Sequence, residues 1–217
     1  MKADGKSARA PRKSKRPSPV SPYTKRRFDV VGIGTSAGGF QALRIVLSPV
    51  PKTFPSSILV VQHLDPHHRS LVSHLLARHT ALHVKQAEHG ELLLPGVVYI
   101  APPDEHLLAG PGKVQLAHSQ LVHFSRPSID LLFESIAGTY GSRCVGVVLS
   151  GSNKDGADGI RAIKEAGGTT MAQEPESAEF KVMPQAAIST GCVDSVLPLA
   201  EIGAALNELC CSTRAPR

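Results

Sequence analysis

The run Phe28-Asp29-Val30-Val31-Gly32-Ile33-Gly34 breaks into Thr35-Ser36-Ala37-Gly38-Gly39, and this stretch restricts the fold of the chain more than any other. Apolar residues at 28, 30, 31 and 33 suit a strand buried on both faces, as in parallel sheets. Residues 41–47 carry apolar side chains at helical spacing, so Ser36 is expected at a strand-to-helix turn. Gly34-Thr35-Ser36-Ala37-Gly38 also fits the Gly-x-Ser-x-Gly elbow, in which small flanking residues let a sharp turn expose the hydroxyl. Amides at the start of the following helix, led by that of Ala37, are then the expected donors for a developing oxyanion.

Two plainer readings compete. Gly32-x-Gly34-x-x-Ala37 satisfies a permissive dinucleotide-binding turn, but the next strand, Ile58-Leu59-Val60-Val61, runs into Gln62 and His63 rather than a ribose-binding acid. A glycine-rich turn without chemistry is the other. Against it stand His63 and Asp155, each expected just beyond a buried strand, where sites collect in open α/β sheets. Serine, histidine and carboxylate are the minimal set for acyl transfer: the imidazole takes the serine proton and the carboxylate orients the imidazole. The order Ser, His, Asp differs from the Ser, Asp, His of α/β-hydrolases. Taken singly, His63 also reads as a loop histidine and Asp155 as a helix cap.

The rest of the chain alternates strand and helix. Strand-like pieces fall at 58–62, 144–149, 169–172 and 192–196, and helical ones at 70–78, 128–139, 156–166, 184–189 and 199–209. Between them, short β-like pieces at 84–87, 96–101, 106–109 and 113–116, punctuated by Pro102-Pro103 and Gly110-Pro111-Gly112, read as a hairpin inserted at a sheet edge. The expected fold is α/β: a three-layer, doubly wound, mostly parallel sheet with a small antiparallel hairpin.

Charge is unevenly placed. Residues 1–27 hold ten Lys or Arg against Asp4, so that segment carries +9 while the whole chain carries only +6, and the remainder is mildly acidic. A disordered basic tail is expected there, since it offers little apolar surface and contains Pro11, Pro17, Pro19 and Pro22. Such an arm can meet an acidic partner, although a solvated arm is the commoner outcome, and nucleic acid is not the expected partner. Arg26-Arg27 hints at a twin-arginine signal, but the run that follows is broken by glycines and holds Ser36. No run reaches the length of a membrane helix, so no membrane insertion is expected. Four cysteines without C-x-x-C spacing suit a reducing, cytoplasmic setting. Ten histidines include no H-E-x-x-H or Cys/His cluster, so no metal site is expected.

Several ordered motifs together resemble one family. Ile33-Gly34-Thr35-Ser36-Ala37-Gly38-Gly39, Val61-Gln62-His63-Leu64, Tyr99-Ile100-Ala101-Pro102 with Asp104-Glu105-His106-Leu107, Arg126-Pro127-Ser128-Ile129-Asp130 and Ser150-Gly151-Ser152-Asn153-Lys154-Asp155-Gly156 are similar to the catalytic domain of chemotaxis protein-glutamate methylesterases (CheB type). The resemblance implies Ser36 as nucleophile, His63 as general base and acid, and Asp155 as orienting carboxylate. It implies oxyanion donors near Ala37 and Ser152, and support or substrate contact from His106 and Arg126. The implied reaction hydrolyses γ-glutamyl methyl esters on a methylated chemoreceptor or similar signalling protein, with glutamine deamidation in some relatives and no cofactor. The chain departs from the family at Ser152, often methionine there, and at Thr35-Ser36-Ala37, often Ala-Ser-Thr. The family's receiver domain has no counterpart in residues 1–27. The expectation is therefore a stand-alone catalytic domain over residues 28–211, with disordered ends at 1–27 and 212–217. A reading of another class is a methylesterase-like body that binds a signalling helix without catalysing.

Overall fold

The computed structural model describes residues 28–63, 70–122 and 125–211; the expected tail at 1–27 and end at 212–217 lie outside them. The first half contains β1 (Val30–Thr35), α1 (Gly39–Leu47), β2 (Ser57–Gln62), α2 (Val72–Leu76), β3 (His83–Gln86), β4 (Val97–Ile100), β5 (His106–Gly110) and β6 (Lys113–Ala117). The second contains α3 (Ile129–Tyr140), β7 (Cys144–Val148), α4 (Ala157–Glu165), β8 (Thr169–Gln173), α5 (Val182–Ser189), β9 (Ser195–Leu197) and α6 (Leu199–Cys211).

Seven strands form one parallel sheet in the order β3-β4-β2-β1-β7-β8-β9. The alternation of β1 explains its central place. Val31 and Ile33 point to a core built with α1, α2 and α6, while Val30 joins the opposite core with α3, α4 and α5. Gly32 and Gly34 face α3, and a Cβ on Gly34 would lie 2.3 Å from Ile129 Cγ2, so the absent side chain lets α3 lie directly on the strand. Both sheet faces are thus covered, which is why the central strands are apolar throughout.

Two details differ from the sequence expectation. Of the four β-like pieces assigned to the hairpin, only β5 and β6 pair antiparallel; β3 and β4 extend the main sheet in parallel. Whether adjacent short strands run parallel depends on which surface they meet, and β4 meets β2. The last strand begins at Ser195 rather than at 192: Cys192 O accepts from the Thr170 hydroxyl and the Asp194 carboxylate accepts the Thr170 N–H, contacts made through side chains. Among the described residues no helix is long and apolar enough to cross a membrane.

From β1 the chain crosses to β2 over one face, and from β7 it crosses to β8 over the other. The carboxyl ends of β1 and β7 therefore border the crevice where such sheets open.

Candidate active site

Ser36 stands immediately beyond β1, half-buried, at that crevice. Its backbone N–H donates to the Ser150 carbonyl at 3.0 Å, and the Thr35 hydroxyl donates to the same oxygen at 2.9 Å. Gly38 then turns the chain into α1 with φ 74°, a left-handed conformation that glycine adopts without steric cost. Ser150 locks the far side of this turn: its hydroxyl donates to the Ala37 carbonyl at 2.8 Å and accepts from the Phe180 N–H at 3.0 Å. The hydroxyl of Ser36 makes no hydrogen bond among the described residues.

His63 follows β2 and continues its ladder, donating its backbone N–H to Thr35 O at 3.1 Å. Its ring Nε2 lies 2.8 Å from Asp155 Oδ2. A carboxylate accepts only, so Nε2 carries the proton and Nδ1 is left as the basic atom.

Asp155, just past β7, is 1% exposed and heavily solvated by the protein. Besides His63 it accepts from Ile129 N–H at 2.7 Å, Asp130 N–H at 3.0 Å and the Ser128 hydroxyl at 3.1 Å. It therefore sits on the N-terminus of α3, where unpaired amides and the helix dipole favour an anion. Burial alone would push its carboxyl up, but the bonds from His63, Ile129 and Asp130 outweigh burial and hold it below the ordinary value. The arrangement is reciprocal: Asp130, in the first turn of α3, accepts from Gly156 and Gly159 N–H at 2.9 and 2.7 Å, capping α4. Burial, opposed by the Gly159 amide and reinforced by the nearby Asp155 charge, pushes the Asp130 carboxyl up to about 7.

The other sequence candidates divide. Ala37 belongs to the Ser36 turn, and Ser152 is exposed on the loop after Ser150, whose neighbour Gly151 is tied by its N–H to Phe180 O and by its carbonyl to Met183 N–H. His106 lies behind the Asp155 carboxylate, and Arg126 pairs elsewhere. The His106 ring is fully buried, donates from Nε2 to Gln120 O at 3.0 Å and accepts at Nδ1 from Ser128 N–H at 3.1 Å. It thus steadies Ser128, which in turn bonds Asp155. Arg126 is pinned by Asp104 Oδ1, 2.9 Å from Nε and 2.6 Å from Nη2, and by Ser119 O.

Sequence reasoning did not single out Ser128, Asp130, Ser150 or Asn153 for a role. The signal for Ser128 is its place as N-cap before an apolar helix. Ser150 carries no signal of its own beyond opening the Ser150-to-Gly156 motif. A groove of about 680 Å³ starts at the same loop and runs between α4 and α5, lined in part by Lys154, Arg161, Lys181 and Val182. Among the described residues no group of His, Cys, Asp and Glu is arranged to hold a metal ion.

A histidine whose Nε2 is fixed by a buried carboxylate, with a serine at the end of the adjoining strand, offers the residue types that acyl transfer through a covalent intermediate requires. Comparison with known proteins places the chain in a family. A family model described as CheB methylesterase matches residues 31–206. Protein-glutamate methylesterase/protein-glutamine glutaminase 2 of Anaeromyxobacter dehalogenans is 44% identical over 190 residues, covering 88% of this chain and 56% of that protein. Protein-glutamate methylesterase FrzG of Myxococcus xanthus is 40% identical over 199 residues, covering 91% of this chain and 58% of its own length. The chain thus spans a little over half of these two relatives. The crystal structure of the Thermotoga maritima CheB methylesterase catalytic domain superposes with TM-score 0.80 at 39% identity, over 84% of this chain and 98% of that one.

Proposed function

Because the chain belongs to the CheB methylesterase family, we propose that residues 28–211 form one serine-hydrolase domain that removes methyl groups from γ-glutamyl methyl esters on a signalling protein. The observation that carries this reading is the His63 Nε2 to Asp155 Oδ2 bond of 2.8 Å at the strand ends where Ser36 also stands. Ser36 Oγ attacks the ester carbonyl carbon while His63 Nδ1 takes the hydroxyl proton, and Asp155 steadies the imidazolium. The oxyanion is held by backbone donors at Ala37 and around Ser152, near the positive end of α1. Collapse expels methanol, which leaves with the proton from Nδ1. Water then attacks the acyl-enzyme, gives its proton to Nδ1, and glutamate departs as Ser36 regains its hydrogen.

The same steps release ammonia from a glutamine side chain, an activity paired with methylesterase in the name of the Anaeromyxobacter relative. Nothing in these steps calls for a metal or an organic cofactor. The substrate class is a methylated chemoreceptor or a similar signalling protein. Four cysteines without C-x-x-C spacing support a reducing, cytoplasmic setting, with burial pushing the Cys144 thiol up to about 11.

The test is methanol release from methylated receptor-type helical fragments by the full chain and by Ser36→Ala. The wild type releases methanol, and the variant is slower by on the order of 10³-fold or more. Equal release by the two would overturn the assignment of the nucleophile, and release by neither would favour a module that binds without catalysing.

A further inference from the structure

The atom that must accept the serine proton already has a partner. Asn153 Nδ2 lies 3.3 Å from His63 Nδ1, and the orientation of the carboxamide is set by its other end, since Oδ1 accepts the Asp155 N–H at 3.2 Å. An amide nitrogen only donates, so its N–H points at the single in-plane lone pair of Nδ1. Ser36, in contrast, makes no side-chain hydrogen bond among the described residues.

Resting on the hydrolase reading above, we propose that Asn153 is a latch on the imidazole: its amide competes with Ser36 for His63 Nδ1 and sets how readily the serine is activated. The turn itself does not need this donor. Oδ1 bonding to the N–H two residues on is an Asx turn, and Ser or Thr at position 153 would build a similar turn from its one hydroxyl oxygen. Only the longer carboxamide sets a second atom, a donor, against the ring while its oxygen closes the turn. The bond is also long for one made by an amide N–H, so it orients Nδ1 without holding it tightly. Asp155 fixes Nε2 independently, so losing the latch leaves the ring in place.

Asn153 is therefore a positioning residue, acting through His63, and its loop links the two halves of the site. Gly151 and Asn153 lie on one short segment, whose start is bonded to Phe180 and Met183 and whose end carries Asp155. A substrate that displaces this segment would withdraw the amide and free Nδ1 for Ser36, which couples docking to activation.

The test uses the full chain labelled with ¹⁵N-histidine and a fluorophosphonate that reacts with activated serines. In the wild-type background Ser36→Ala leaves the His63 Nδ1 resonance where it is. In the Asn153→Ser background the same change moves it, because Ser36 has taken the lone pair. Asn153→Ser labels Ser36 about fivefold faster than wild type, the factor one weak neutral hydrogen bond carries. Asn153→Thr, with the same turn oxygen, is the second variant and behaves alike. A Nδ1 resonance that moves with Ser36→Ala in the wild-type background overturns the latch, as does labelling that is unchanged or slower in both Asn153 variants. Absence of labelling in every protein, wild type included, overturns the hydrolase reading instead, and the ring spectra still decide which group holds Nδ1.

Discussion

Two aspartates, 25 positions apart in sequence, hold each other's helices: Asp155 accepts the first amides of α3, and Asp130 those at the start of α4. Their environments push them apart. Asp155 gains enough donors to stay ionised, whereas Asp130, with its carboxyl pushed up to about 7 chiefly by burial, is held in its neutral form well above the usual carboxylate range. For a carboxyl raised on folding, the native state binds more protons than the unfolded chain between the two values, so its contribution to stability is complete below the unfolded value near 3.8 and is lost as pH rises through about 7. Asp130→Asn keeps an oxygen for the Gly156 and Gly159 amides and removes the titration. The difference in Tm between this variant and wild type should therefore shift in the variant's favour from pH 4 to pH 7.5, read by far-UV circular dichroism at intervals. A difference that stays constant across that range would show that Asp130 does not carry this proton.

At the scale of elements, β1 and α3 meet where the fold and the site share one contact. Ile129, the first residue of α3, packs against Gly34 with its side chain and gives its N–H to Asp155 with its backbone. Gly34→Ala places a methyl carbon 2.3 Å from Ile129 Cγ2, so α3 must retreat from the strand. Such overpacking costs about 1–3 kcal/mol, read as a lower urea midpoint at unchanged slope. Turnover should fall with it, because the retreat draws the Ile129 amide away from Asp155. A variant that loses stability but keeps full turnover would separate the packing contact from the site. The order of elements was legible because the Val and Ile runs of β1, β2 and β7 and the apolar spacing of α1, α3 and α4 are local patterns. The direction in which β3 and β4 pair was not legible, since a strand of four residues carries the same pattern in either direction.

The described residues form one seven-stranded parallel sheet and the β5-β6 hairpin, with an apolar cluster on each face of the large sheet, and the two clusters share its strands residue by residue. Leu43 on α1 and Leu132 on α3 are both fully buried, on opposite faces. Leu43→Ala and Leu132→Ala should each cost roughly 2–5 kcal/mol and lower a single calorimetric transition. Two separate endotherms in either variant would mean that the layers melt independently. The sequence alone determined the strand-and-helix alternation and the placing of Ser36, His63 and Asp155 beyond their strands, because hydrophobic period and turn chemistry act over a few neighbouring residues. Only the tertiary structure decided that His63 Nε2 meets Asp155 across 92 positions, that Asn153 faces Nδ1, that His106 steadies Ser128 behind the carboxylate, and that Arg126 pairs with Asp104. Those relations depend on which side chains the folded sheet brings within about 3 Å of each other, and hydrogen bonds at that range leave no periodic trace in the chain.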